Sequence, residues 1–230
     1  MKPARFSRTA ILAACAVGAL FAGGCNILPQ PGPDPTRYFV LTDPAPGEKT
    51  FTRAEGGLVI GLRTLDLPGY LKSRSMIVRD GANEIAYQDY ARWAEPLEVG
   101  LGRALRLHLQ DAPDVARLYA EPFPFDRMRD YDVGVRIVRC EGAVTNGRGV
   151  ARLTAAVEII DVASNRIVAR MWFKAPERAW DGRDFGALAR LLSEAATELG
   201  DAINQKLADL PKPEAAGSDG AEAKRDAGGS

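Results

Sequence analysis

Histidine is nearly absent: His108 is the only one in 230 residues. A Ser-His-Asp or Cys-His site would have to be built on that single imidazole. It falls within an apolar helical arc, where a satisfied core or partly buried histidine is the expected reading. Cysteine is scarce too. Cys15 and Cys25 stand near the N-terminus and only Cys140 lies in the body of the chain, so no disulfide within the domain is expected. A lone cysteine there reads as a buried apolar residue and not as a reactive thiol. Charge of either sign is not in excess, with 30 basic and 30 acidic residues. That leaves no electrostatic case for nucleic acid. No set of His, Cys and carboxylates has metal-ligand spacing. No Gly-rich phosphate loop follows Gly100-Leu101-Gly102, and no Walker pattern occurs. No metal and no non-covalent cofactor is expected, and the pattern favours a binding module over an enzyme. The apolar run Thr9–Ala22 has about fourteen residues, short of the roughly twenty that span a bilayer.

That run has another use. The basic residues Lys2, Arg5 and Arg8 precede it, and Gly23, Gly24 and Cys25 follow it. This is the layout of a secretory signal. The cysteine after small residues resembles the lipobox of bacterial lipoproteins, with Ala22 where Leu is usual. A rival, Leu12-Ala13-Ala14-Cys15, fits the four-residue pattern better. It would leave an apolar region of only about six residues, below the roughly 7–15 required. Residues 1–24 are therefore expected to be the signal peptide and Cys25 the lipidated residue, carrying diacylglycerol and an N-acyl chain. An ordinary cleaved signal with an incidental cysteine is the plainer alternative. Asn26, in place of the Asp that marks inner-membrane retention, resembles lipoproteins sorted to the outer membrane. Without the first 24 residues the balance is 27 basic against 30 acidic, or −3.

Residues 25–36 read as a Pro-rich tether, with four prolines between Ile27 and Pro35. At about 3.1 Å per residue it would hold a domain roughly 25–30 Å from the lipid. Residues 37–210 are the expected domain, and 211–230, made of Pro, Ala, Gly, Ser and charges, an expected disordered tail.

Within the domain, strands are predicted at Arg37–Thr42 and Leu58–Leu65. Asp80-Gly81-Ala82-Asn83 predicts a hairpin between Met76–Arg79 and Glu84–Tyr87. Pro96 is placed at the first helical position, where its missing N–H costs nothing, with Glu95 and Glu98 at the positive end of the helix dipole. Leu97, Leu101, Ala104, Leu105, His108 and Leu109 share one face. A short strand is predicted at Val115–Tyr119. Tyr131–Val144 and Val150–Asp161 alternate as two long strands joined at Asn146-Gly147, and Arg166–Lys174 alternates as another. Asp184–Ala208 is amphipathic, with Phe185, Leu188, Leu192, Ala196, Leu199 and Ile203 on one side. The expectation is an α+β single domain: a mostly antiparallel sheet with two main amphipathic helices packed on one face.

Trp93 stands directly before the first helix, either folded over its first turn or offered as a contact surface. Around it lies a spaced set: Leu67-Pro68-x-Tyr70-Leu71, Ile77-Val78-Arg79, Tyr87 and Arg92-Trp93-Ala94-Glu95-Pro96-Leu97, preceded by Tyr38-Phe39-Val40-Leu41. In order and spacing this resembles the ABC-type transport auxiliary lipoprotein family (PqiC-like). The resemblance singles out Pro68, Tyr70, Leu71, Arg79, Trp93, Glu95, Pro96 and Leu97, as fold or interface residues. It implies a non-catalytic accessory of an envelope-spanning, ABC-type lipid transport system. The implied partners are a mammalian-cell-entry (MCE) domain protein, the outer membrane through the lipid anchor, and further copies of the chain in a ring. A structural lipoprotein of another envelope machine is the alternative class, and an envelope enzyme a third.

Overall fold

Residues Tyr131–Thr145 and Arg148–Asp161 form the longest paired segment, an antiparallel hairpin around which the rest is arranged. A computed structural model describes residues 32–42, 56–145 and 147–212. The expected signal peptide, Cys25, most of the tether, Asn146 and most of the tail lie outside the described residues. All named elements belong to a compact unit that begins at Thr36.

In chain order the elements are β1 (Arg37–Phe39), β2 (Leu58–Leu62), a 3-10 turn (Gly69–Lys72), β3 (Ser75–Asp80), β4 (Glu84–Trp93), α1 (Leu97–Gln110), β5 (Val115–Ala120), β6 (Tyr131–Thr145), β7 (Arg148–Asp161), β8 (Arg166–Lys174), β9 (Arg178–Trp180) and α2 (Phe185–Ala208). The strands form one sheet. One edge of β6 carries two arms. Its first residues pair with β2, which leads to β5, and its last pair with β3, which leads to β4 and β1. β7 likewise divides its outer edge between β9 and β8.

The class is α+β, as expected. The long ladders β6–β7, β7–β8 and β3–β4 are antiparallel, but β1–β4, β2–β5, β2–β6 and β3–β6 are parallel, so the sheet is mixed. Parallel pairing joins segments far apart in sequence, and no local pattern announces it. The same cause lengthens β4: its last three residues pair with β1. β9 was not expected. Its three residues hold the start of β7. β1 is shorter than predicted because Thr42 turns away and its N–H donates to Ser193 Oγ of α2 at 3.0 Å.

The hairpin's two faces differ in chemistry. Val133, Val135 and Ile137 of β6 oppose Ile159, Val157 and Ala155 of β7, and all are buried in the core with α2's Leu188, Leu192, Leu199 and Ile203. α1 adds Leu97, Leu101, Leu105 and Leu109 to that core. The other face shows Gly134, Arg136, Ala156 and Glu158. β8 keeps the alternation: Ala169, Met171 and Phe173 pack against the core, while Trp172 stands 65% exposed beside Ala156. α2 starts cleanly, since the Asp184 carboxylate accepts from the N–H groups of Gly186 and Ala187, at 2.9 and 3.1 Å.

His108 lies where the helices meet. Its Nε2 is 2.8 Å from Asp201 Oδ1, and a Cβ on Gly200 would come within 2.4 Å of its ring. The imidazole thus sits on α2 in the space a glycine leaves.

Candidate interaction site

The eight motif residues collect into two clusters that share one core. In the first, Pro68 precedes the 3-10 turn and Leu71 drives that turn into the interior. Tyr70 lies flat beneath Arg79 of β3, whose guanidinium carbon is 5.5 Å from the ring centroid. The Tyr70 hydroxyl donates to the carbonyl of Val138 at 3.1 Å. Val138 sits in the bulge of β6, between Ile137 and Arg139, where the ladder shifts register. A bulge leaves a backbone group without a strand partner, and Tyr70 supplies one.

Arg79 also grips Glu141. Its Nε donates to one carboxylate oxygen and its Nη2 to the other at 3.3 Å, while Nη1 reaches the Ala82 carbonyl at 3.2 Å. Glu141 is only 1% exposed. Bidentate pairing of this kind is what a buried carboxylate requires. Burial first, and then the Glu141 charge, push the Tyr70 hydroxyl up to about 12. The same two causes push the neighbouring Cys140 thiol up to about 12, which keeps it protonated and inert near neutral pH.

Glu141 was not among the residues singled out from sequence. Strict alternation continued from Ile137 would put Arg139 and Glu141 inside and Cys140 outside. The bulge reverses this, sending Cys140 into the core and Glu141 to the face where Arg79 waits. The signal was present: apolar Val133, Val135 and Ile137 at odd positions give way to Cys140 at an even one.

The second cluster is the mouth of α1. Trp93 ends β4 at 4% exposure, and its backbone N–H donates to the Arg74 carbonyl at 2.7 Å. Its indole therefore packs inward. Pro96 occupies the N-cap, one residue earlier than expected. Its carbonyl accepts from the N–H groups of Val99 and Gly100, at 2.9 and 3.1 Å. Proline's fixed φ suits this boundary as well as the first helical position. Glu95 turns back over the first turn, taking Arg103 Nη2 at 2.7 Å. Gly100 makes room, since a Cβ there would lie 3.1 Å from Glu95 Oε1. Arg103 also reaches the Leu41 carbonyl at 3.3 Å, tying the segment after β1 to the helix. Leu97 is buried below.

Two surface depressions flank the ridge made by Arg63, Thr64 and Glu121. One, of about 350 Å³, lies on the sheet's open face over Gly134 and Ala156. The other, of about 380 Å³, lies between α1 and the segment after β2, over Leu62, Leu65, Val99 and Gly102. Beside the first, Arg136 pairs with Asp66 at 2.9 Å and Arg170 with Glu158 at 3.0 Å. Glu121 accepts from the Thr64 N–H at 2.8 Å, and that bond holds its carboxyl below the usual range. Among the described residues no group of three or more His, Cys, Asp or Glu is placed to hold a metal ion.

Fold and clusters together define a class: a mixed-sheet α+β domain whose motif residues brace one arm of the sheet and the mouth of its first helix. The chain belongs to the family of ABC-type transport auxiliary lipoprotein components, whose model matches residues 39–204. No curated protein sequence matches it. Among solved structures it is similar to protein XCC0632 from Xanthomonas campestris, at 16% identity and TM-score 0.64, over 75% of this chain and 95% of that one. A second crystal structure, of an uncharacterized protein, aligns at 12% identity and TM-score 0.59, over 75% and 98%. These two likenesses show the fold alone. A PelC dodecamer from Paraburkholderia phytofirmans aligns at 14% identity and TM-score 0.39, over 67% and 90%, too remote to say how this chain assembles.

Proposed function

We propose that this protein is a non-catalytic accessory of an envelope-spanning lipid transporter, one that holds the periplasmic end of an MCE-domain partner near the outer membrane. The observation that carries this reading is the extent of the family match. It runs from β1 into α2, so it covers a whole domain and not a motif. Family membership makes the chain an auxiliary lipoprotein of ABC-type transport; the MCE partner, the outer membrane and the acyl chains on Cys25 are our extension of it. Burying acyl chains across an aqueous gap is worth about 0.8 kcal/mol per CH₂. A continuous apolar conduit therefore needs a docking point at its far end, and a docking point needs shape and not reactive groups. The charged motif residues fit that demand, since Arg79 is engaged with Glu141 and Glu95 with Arg103.

The sheet ends in unlike edges, β1 and β5 on one side and β8 and β9 on the other. A contact between unlike edges of neighbouring copies is head-to-tail and closes into a ring when the rotation allows. A homo-oligomeric ring matched to a ring-shaped partner is thus part of the proposal.

The test is photocrosslinking in intact cells. Trp93 is buried, so reactive groups belong at exposed Tyr38, Tyr90 and Trp172. At least one should capture an MCE-domain protein. No capture at any of them, with the protein folded and lipidated, defeats the docking reading. Metabolic fatty-acid labelling lost in Cys25→Ser reads the anchor separately.

A further inference from the structure

Most large apolar side chains of this domain are inside. Of the exposed ones, the two most exposed lie in the loop between β5 and β6. Phe125 is 107% exposed and Met128 87%. Two such side chains three residues apart in one loop are a different matter from apolar residues scattered singly over a surface.

The loop is not loosely hung. At its start the Glu121 N–H donates to the Leu62 carbonyl at 3.0 Å, and the Glu121 carboxylate takes the Thr64 N–H. At its end Asp130 exchanges two bonds with Val59, at 2.7 and 2.6 Å, and its carbonyl accepts from the Val162 N–H at 3.0 Å. Arg129 binds Asp132 at 2.7 Å and lies 3.9 Å over the Phe123 ring. Pro122 and Pro124 restrict the backbone further. The fold therefore holds Phe125 and Met128 out in water on a braced support, and ordering the loop for a partner costs little.

Charge and shape indicate which partner. Glu121, Asp130, Asp132 and Arg129 are turned to the loop's own base. At the tip Asp126 and Arg127 stand 3.5 Å apart and offset each other. What projects is apolar and locally neutral. A convex tip of two side chains covers little of the roughly 800 Å² per partner that a stable protein interface needs, whereas a bilayer closes around a protrusion on every side. Family membership makes the chain a lipoprotein, so a leaflet is its standing neighbour. A lipid at the end of a tether limits the distance of the domain from the leaflet and does not set its orientation.

We propose that the β5–β6 loop is a membrane-inserting tip: Phe125 and Met128 enter the interfacial zone of a phospholipid leaflet and set the orientation of the domain on it. The contact works by apolar burial and not by charge, so it persists at high salt. It rests on the lipid anchor and is independent of which transporter the domain serves.

The test uses the full lipidated chain in phosphatidylcholine vesicles whose acyl chains carry bromine, a contact quencher of indole. Phe125→Trp places the probe at the tip. Tyr38→Trp places one at an exposed site on the β1 edge. The native background from Trp93, Trp172 and Trp180 is subtracted with the unsubstituted protein. Thermal unfolding verifies that both variants fold. Flotation with the vesicles reads the anchor, and quenching reads the tip, so failure of one is not mistaken for failure of the other. The expected result is blue-shifted emission and bromine quenching at position 125 but not at 38, unchanged between low and high salt. Quenching no stronger at 125 than at 38 overturns the proposal. So does a tip that stays in water on vesicles and is shielded only when a protein partner is added.

Discussion

The Arg79–Glu141 pair and the β5–β6 loop break the usual sorting of residues in opposite senses. The first places full charges in the interior. The second places a phenyl ring and a thioether in water. They differ in where compensation is found. Glu141 has its two guanidinium bonds, Arg79 a backbone carbonyl and an aromatic face, and Tyr70 a bulge carbonyl. Each need is met within a few ångströms, so the reason for those charges lies inside the fold. Phe125 and Met128 are left almost uncovered by the described residues, although their loop is braced at both ends. Their reason lies outside it. A buried charge that is satisfied tells about architecture, and an exposed apolar group that is held in place tells about a partner.

The largest effect is expected at Glu141 and its partner. Removing one member of a buried ion pair strands the other, which costs about 3–5 kcal/mol. Glu141→Ala and Arg79→Ala are each expected to lose that much, read from the midpoint of urea unfolding. A loss below about 1 kcal/mol would mean that the surviving charge reaches water, and the pair would then belong with the surface bridges.

The helix crossing is next. Gly200→Ala forces a Cβ into the His108 ring at 2.4 Å, and such overpacking costs about 1–3 kcal/mol. Gly102→Ala is the control. Its Cβ would meet only Leu65, at an ordinary 3.8 Å, so gaining helix propensity should stabilise the protein by up to about 1 kcal/mol. Thermal unfolding of the two variants should move in opposite directions.

Much of this architecture was legible in the sequence, and the parts that were not share a cause. Alternation from Leu153 to Ile159 and the apolar stripe of α2 are local signals, and burial followed, with Phe185 only partly covered. The hairpin was placed by its turn, where Gly147 adopts φ +74°, outside the range other residues favour. The parallel pairings and β9 depend on segments distant in the chain, and their residues carry no period of their own. The motif residues were found by resemblance, while Glu141, to which Arg79 is bound, needed the bulge. A phase slip of one residue in a strand reverses its faces, and a reading that assumes unbroken alternation assigns every later side chain to the wrong side.

Tyr70 contributes less to the interior and does so with a pH signature. Tyr70→Phe removes its bond to the bulge, about 1 kcal/mol at neutral pH. Because the folded hydroxyl is raised from 10.0 to about 12, its contribution is complete below pH 10 and fades as pH rises through 12. Wild type should therefore lose its advantage over Tyr70→Phe in alkaline solution. An advantage that stays constant from neutral pH to pH 12 would place the hydroxyl in water.

The smallest effect is expected at the tip, and its smallness is what makes it informative. Phe125→Ser with Met128→Ser removes two large apolar side chains, a change that in the core would cost several kcal/mol. Here they touch water in the isolated domain, so unfolding in solution should shift by no more than about 0.5 kcal/mol. If the tip served the fold, packing on α1 or the sheet after a local rearrangement, the double variant would unfold earlier with or without vesicles. If it serves a leaflet, stability in solution is unchanged, and only on vesicles does the variant differ, with segment 121–130 exchanging its amide hydrogens faster than in wild type. Hydrogen exchange on and off vesicles separates these outcomes, because it reads the loop and the core in one measurement.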